Sequence, residues 1–363
     1  MESEKANKAY RRARALLAIV ALGSAATASA QSSVQFSGVI DTFAGDNQLS
    51  GNSHRVANVG TGGLSTAYFG FTGTEDLGGG LQAEFALSSP FQSDNGLQGR
   101  FANDTLFSRD ANVGIKGGFG AIKLGRYTSP NFLSAVQFNP FGNSTVVAPL
   151  LLHSYVPTFG DLNVWRNSIA GDSGWSNQIA YITPDFDGFK ADFHYQFGEV
   201  AGNSGKNNVG ARAFYFKGPL GLTAYVQRVQ VNNPLDAGGV TSALNTVGTP
   251  TSQRAWFIGG SYDFSSVKLF GTYQQTTNNV DANDKTVQLG SSIPVGAGNI
   301  LASWAQTRRA GSVVGADLKR NTASVGYDYV LSKRTDLYTV YMYDKISSQD
   351  QANSILLGIR HRF

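Results

Sequence analysis

From Val34 to Phe363 the chain repeatedly alternates apolar with polar residues at a period of two. In 189–197, Phe189, Ala191, Phe193, Tyr195 and Phe197 share one face, and Lys190, Asp192, His194 and Gln196 share the other. Side chains of a strand point alternately to opposite faces, so the pattern predicts strands with one apolar and one hydrated surface. It recurs with Trp256, Ile258, Tyr262 and Phe264, and with Val325, Tyr327 and Tyr329 set against Ser324 and Asp328. At the end of the chain Ile355, Leu357, Ile359, His361 and Phe363 oppose Ser354, Leu356, Gly358, Arg360 and Arg362.

Seven short connections rich in Gly, Pro, Asp and Ser punctuate these strands, at 75–80, 117–120, 183–188, 217–221, 263–266, 293–298 and 331–335. Each sits inside a hairpin of strands of about ten residues, enough to cross a bilayer at a tilt. An opening strand from Val34 and a closing strand to Phe363 bring the expected total to sixteen. The segments between hairpins are longer: 45–64, 91–107, 127–173, 199–208, 232–252, 275–285, 309–320 and 346–352. Short turns at one end and long loops at the other are the asymmetry of an outer-membrane barrel. Lipid satisfies no open sheet edge, so the first and last strands are expected to pair. A soluble sandwich also alternates, but its strands are nearer five or six residues and its inner face is apolar. Here the polar face carries Gln35, Ser37, Asp41, Lys190, Asp192 and His194. The expected fold is all-β, a transmembrane antiparallel 16-stranded β-barrel.

Composition agrees and narrows the chemistry. The 43 glycines argue against a helical bundle, and the absence of cysteine removes disulfides, thiolate metal sites and thiol nucleophiles. The net charge of +4 sits mostly in the first thirty residues, where Lys5, Lys8, Arg11, Arg12 and Arg14 face only Glu2 and Glu4. The remainder is nearly balanced and has no basic cluster, which excludes a nucleic-acid partner. That basic stretch, the apolar run from Ala15 to Leu22 and the ending Ala28-Ser29-Ala30 predict a secretory signal over 1–30, followed by one barrel domain over 31–363. No Gly-x-Ser-x-Gly elbow or metal-ligand cluster is present in the sequence. The expectation is therefore a protein that is not an enzyme and carries neither cofactor nor metal.

Several stretches resemble the trimeric general porins of Gram-negative outer membranes, over the whole chain after the signal. Val34–Asp41 resembles the family's first strand, and Phe69–Leu81, the most specific segment, its second strand and first turn. Leu124-Gly125-Arg126-Tyr127 resembles the lead into the third loop; Leu331–Thr335 with Leu337-Tyr338 resembles the last turn, and the terminal Phe363 the residue read during barrel assembly. The resemblance implies a homotrimer in outer-membrane lipid, with a water-filled channel for passive diffusion of small hydrophilic solutes and ions. A substrate-specific channel with a saturable solute site is the alternative.

The connection 127–173 is too long and too apolar for a disordered tail, with Phe132, Leu133, Val136, Phe138, Phe141, Val147 and Leu150 to Leu152. By resemblance it folds into the lumen as a constriction loop; a packed external flap is the other reading. In the family, selectivity comes from acids on this loop facing bases on the wall. Here the loop has no Asp or Glu until Asp161. Candidate bases are Arg109, Lys123, Arg126 and, near the loop's return, Arg166. Strand parity supports Lys123, whereas Arg109 and Arg126 fall in phase with apolar Val113 and Leu124, leaving constriction and loop anchoring both open. Asp41, Lys190, Asp192 and His194 are expected to line the lumen. A basic wall with a poor acidic counterpart favours anions.

Overall fold

The computed structural model describes residues 32–363 apart from 102–103, 157–164, 200, 202–205, 232–249 and 348; the expected signal over 1–30 and Asp161 lie outside the described residues. The strands are β1 (Ser33–Asn47), β2 (Val56–Thr61), β3 (Tyr68–Gly78), β4 (Leu81–Pro90), β5 (Asp110–Gly117), β6 (Gly120–Thr128), β7 (Gly174–Ile182), β8 (Phe189–Gln196) and β9 (Asn208–Lys217). They continue with β10 (Leu220–Val229), β11 (Gln253–Asp263), β12 (Lys268–Asn278), β13 (Asn283–Val295), β14 (Gly298–Ala310), β15 (Leu318–Val330), β16 (Thr335–Ile346) and β17 (Ala352–Arg362). Two short helices, α1 (Pro130–Gln137) and α2 (Pro149–Tyr155), interrupt the longest connection.

Neighbouring strands pair antiparallel, and β1 pairs with β17 from Val39↔Arg362 to Asp46↔Ile355, closing the sheet on itself. Phe363 completes the seam: its backbone N–H donates to the Gly38 carbonyl, and the Gly38 N–H donates to that of Phe363. All seven expected turns join adjacent strands. In the first, Gly78, Gly79 and Gly80 all have positive φ (82°, 61° and 79°), a conformation that side chains disfavour, and the Asp76 carboxylate accepts from the Gly78 N–H at 2.8 Å.

The seventeen strands of the described residues make a sixteen-stranded barrel because β2 and β3 are two halves of one wall strand. β1 pairs with β3 from Ser33↔Thr74 to Val39↔Tyr68, then with β2 from Thr42↔Thr61 to Asn47↔Val56. Residues 62–67 stand opposite only Ile40 and Asp41, so they leave the ladder. The expectation of a loop over 45–64 is corrected here: its second half returns to the wall as β2. The expected loop 275–285 is also shorter, spanning only the gap between Asn278 and Asn283.

The outward face is the apolar one. Val34, Phe36, Val226, Ile258, Leu289, Ile355 and Leu357 are all exposed, as lipid contact requires. The inward face is mostly polar but carries an apolar sector formed by Tyr225, Phe257, Tyr338, Val340, Met342 and Leu356. Phe141, Val147, Leu150, Leu151 and Leu152 of the segment 129–173 pack on that sector as one buried cluster. Each such leucine contributes about 1.5–3 kcal/mol by leaving water. Residues 129–156 of the segment lie against inward-facing wall residues.

Candidate functional site: the lumen and its third loop

Pro at the first position of both α1 and α2 suits a helix start, where a missing N–H costs nothing. From α2, His153 is clasped between two wall hydroxyls, Nδ1 at 2.8 Å from Thr307 Oγ1 and Nε2 at 2.7 Å from Thr322 Oγ1. Arg320 pairs with Asp344, both side chains fully buried, and its Nη1 also donates to the Leu152 carbonyl. Arg309 pairs with Asp284 and donates to the Arg166 carbonyl at 2.9 Å. Between these cations lies Trp165, with guanidinium carbons 4.0 Å (Arg309) and 5.5 Å (Arg320) from its ring centre. Buried pairs of this kind hold a loop only while both partners are present.

Burial lowers the affinity of His153 for a proton, and the positive charges of Arg320 and Arg309 lower it further, well below the usual range. The folded chain therefore binds fewer protons than the unfolded one between that depressed value and the ordinary 6.5. Stability from this site is complete above pH 6.5 and declines as the pH falls below it. Heat-unfolding midpoints of wild type and His153→Gln, followed by circular dichroism in detergent, are expected to converge as the pH drops from 7 to 5; parallel curves refute the assignment.

The loop's base is held by a carboxylate that sequence reasoning passed over. Asp172 accepts from Arg126 and from Arg100, whose guanidinium also pairs with Asp104 at 2.8 Å. Burial pushes the Asp172 carboxyl up, but the charge and hydrogen bonds of Arg100, then of Arg126, outweigh it and hold the carboxyl below its usual range. Arg126 further donates to the Ser108 carbonyl and to Ser176 Oγ. It braces the third loop against the second. The available signal was that Asp172 and Asp161 are the only acids in 127–173.

A second inward element meets the loop. The Asp41 carboxylate accepts from the N–H groups of Leu64 (3.0 Å) and Ser65 (2.7 Å) and from the Tyr338 hydroxyl, pinning the insertion 62–67 inside the wall. Arg360 donates to Ser65 Oγ, and Ser144 of the third loop donates to the Gly63 carbonyl at 2.8 Å. Glycine is required under this clamp, since a Cβ at Gly63 or Gly358 would collide with the Tyr338 phenol.

The other sequence candidates fall in different places. Lys123 reaches Glu84 at 2.9 Å, and Lys116 approaches the same carboxylate at 3.8 Å. Lys190 lies 3.4 Å from Asp185 beside a turn. Arg109 stacks 3.7 Å over the Tyr68 ring and stays partly exposed, 3.6 Å from Asp110. Asp192 and His194 are on the inward face but buried, with Asp192 bound to Arg212 and to His194 Nε2 at 3.0 Å. Arg212 in turn donates to Gln137 of α1. Lys268 sits over Phe270 with no acid paired to it among the described residues.

The family model described as Gram-negative porin matches residues 15–349. Outer membrane porin protein 32 of Delftia acidovorans is 31% identical, over 96% of this chain and 99% of its own length. An outer membrane porin of Bordetella pertussis is 29% identical with the same coverage. Among solved structures, the anion-selective porin from Comamonas acidovorans superposes with a TM-score of 0.73 at 26% identity, covering 92% of this chain and 100% of that one. A closed sixteen-stranded wall, oily outside and polar within, together with these relatives, makes this chain a member of the Gram-negative porin family, an outer-membrane channel for passive diffusion.

Proposed function

We propose that this porin discriminates weakly in favour of anions at a constriction formed by the third loop, and that it works as a homotrimer without any covalent chemistry. The observation that carries the reading is the packing of residues 129–156 on the inward wall, a stretch without a single acid. On β5 and β6, Lys116 and Lys123 share one carboxylate, that of Glu84, which leaves that patch of wall with excess positive charge. Lys268 adds another cation. Arg109 stands beside Asp110 and adds no net charge, and Arg126 serves the loop's base.

A permeating ion about 4 Å from a unit charge in water gains or loses about 1 kcal/mol, roughly a fivefold change in occupancy before salt screening. Reversal potentials across a planar bilayer under a salt gradient are expected to favour anions, and Lys123→Glu is expected to move the ratio about twofold or more toward cations. Cation preference in the wild type would refute the reading. Saturation of the conductance with solute would favour the substrate-specific alternative.

Support for the trimer comes from the outward wall. Thr42, Thr61 and Ser93 hydrogen-bond together on the outside of β1 and β2. Polar groups in that position are better covered by a neighbouring subunit than by lipid. Conductance steps in threes test it.

A further inference from the structure

Outward-facing cations at the loop end of the wall are not all alike. Arg308 of β14 has an acid, Asp317, beside it. Arg228 of β10 and Arg254 of β11 stand directly opposite each other in the ladder, two like charges on the same outward face. Such a cross-strand pair is unfavourable unless an anion lies between its members. Neither has an acidic partner among the described residues. Arg228 donates from Nη2 to Asn207, but its Nε is buried with no hydrogen-bond acceptor.

Directly below the pair, toward the turns, the outer wall is hollowed into a groove of about 670 Å³. Its sides are Phe193, Tyr195, Val226 and Trp256, and its floor is kept low by Ala211. A second hollow of about 590 Å³ continues along the same strands, over the small residues Ala213, Ala224 and Gly260. Two guanidiniums above a long apolar trough match an amphiphile with an anionic head and an extended hydrocarbon tail. Guanidinium is suited to phosphate, which it can meet with two parallel hydrogen bonds.

The long loops mark the cell-exterior end of the barrel, so the pair lies at the level of the outer leaflet's head groups. We propose that Arg228 and Arg254 bind the phosphate of a phosphorylated outer-leaflet glycolipid, one acyl chain of which lies in the groove on β8–β12. This surface is on the opposite side of the wall from the lumen, so the site is independent of ion selectivity.

The test uses the full chain in detergent micelles containing bisphosphorylated lipid A, read by native mass spectrometry. Wild type is expected to retain one lipid per protomer at this site, and Arg228→Gln/Arg254→Gln to bind at least about tenfold more weakly. Ala224→Phe, which fills the trough and leaves both arginines in place, is expected to weaken binding as well. Unchanged single-channel conductance verifies that each variant is folded. Dephosphorylated lipid A is expected to bind wild type and the double variant equally weakly. Equal retention of bisphosphorylated lipid A by wild type and the double variant overturns the proposal. So does equally tight binding of phosphatidylglycerol, or displacement of the lipid by millimolar inorganic phosphate, which would mark a general anion site.

Discussion

Arg320→Met is expected to cost about 3–5 kcal/mol of unfolding free energy, because it leaves the Asp344 carboxylate buried without its cation. Both side chains are fully buried, and Asp344 also accepts from the Ser50 N–H and the Thr322 hydroxyl, so it has no route back to water. Guanidinium unfolding in detergent measures the loss. The double variant Arg320→Met/Asp344→Leu is expected to recover only part of it, since it removes the buried charge but leaves the Ser50 N–H and the Thr322 hydroxyl without that acceptor. Because Arg320 also holds the Leu152 carbonyl, the single variant should show noisier open-channel current. A loss below about 1 kcal/mol would mean the pair is solvated and the loop is held elsewhere.

Asp41→Ala is the second large effect. It leaves the N–H groups of Leu64 and Ser65 and the hydroxyl of Tyr338 without their acceptor. An orphaned buried donor costs about 1–3 kcal/mol, so a total of about 3 kcal/mol or more is expected. With its pin gone the insertion 62–67 moves, and single-channel conductance should change. Tyr338→Phe removes only one of the three bonds, and the expected cost is about 1 kcal/mol with conductance near wild type. Equal effects of the two variants would show that the backbone bonds to Asp41 contribute nothing.

Much of the architecture was legible because lipid imposes it. Alternation along 189–197 and 355–363 assigned outward and inward faces correctly, and glycine-rich turns such as 75–80 fixed the hairpins. What could not be read depended on contacts distant in sequence. Tyr338, Val340 and Met342 sit on the inward parity of β16, yet they are apolar, which makes sense only once the third loop covers them. The insertion 62–67 reads locally as the end of a loop, since nothing in Gly-Gly-Leu-Ser-Thr-Ala signals that Asp41 will capture its amides. Arg126 defeated a parity argument because the register slips between Gly125 and Tyr127, and a face counted from Leu124 no longer applies. Its partner Asp172 lies 46 residues away.

The split of one wall strand into β2 and β3 separates two design variables that a plain barrel ties together. In an uninterrupted cylinder, bore follows from strand number and stagger, and changing it means rebuilding the whole scaffold. Here Gly62 to Ala67 leave the ladder and rejoin it with the strands on either side still paired. Lengthening or trimming that excursion would retune the calibre from within, while the membrane around it met an unaltered surface.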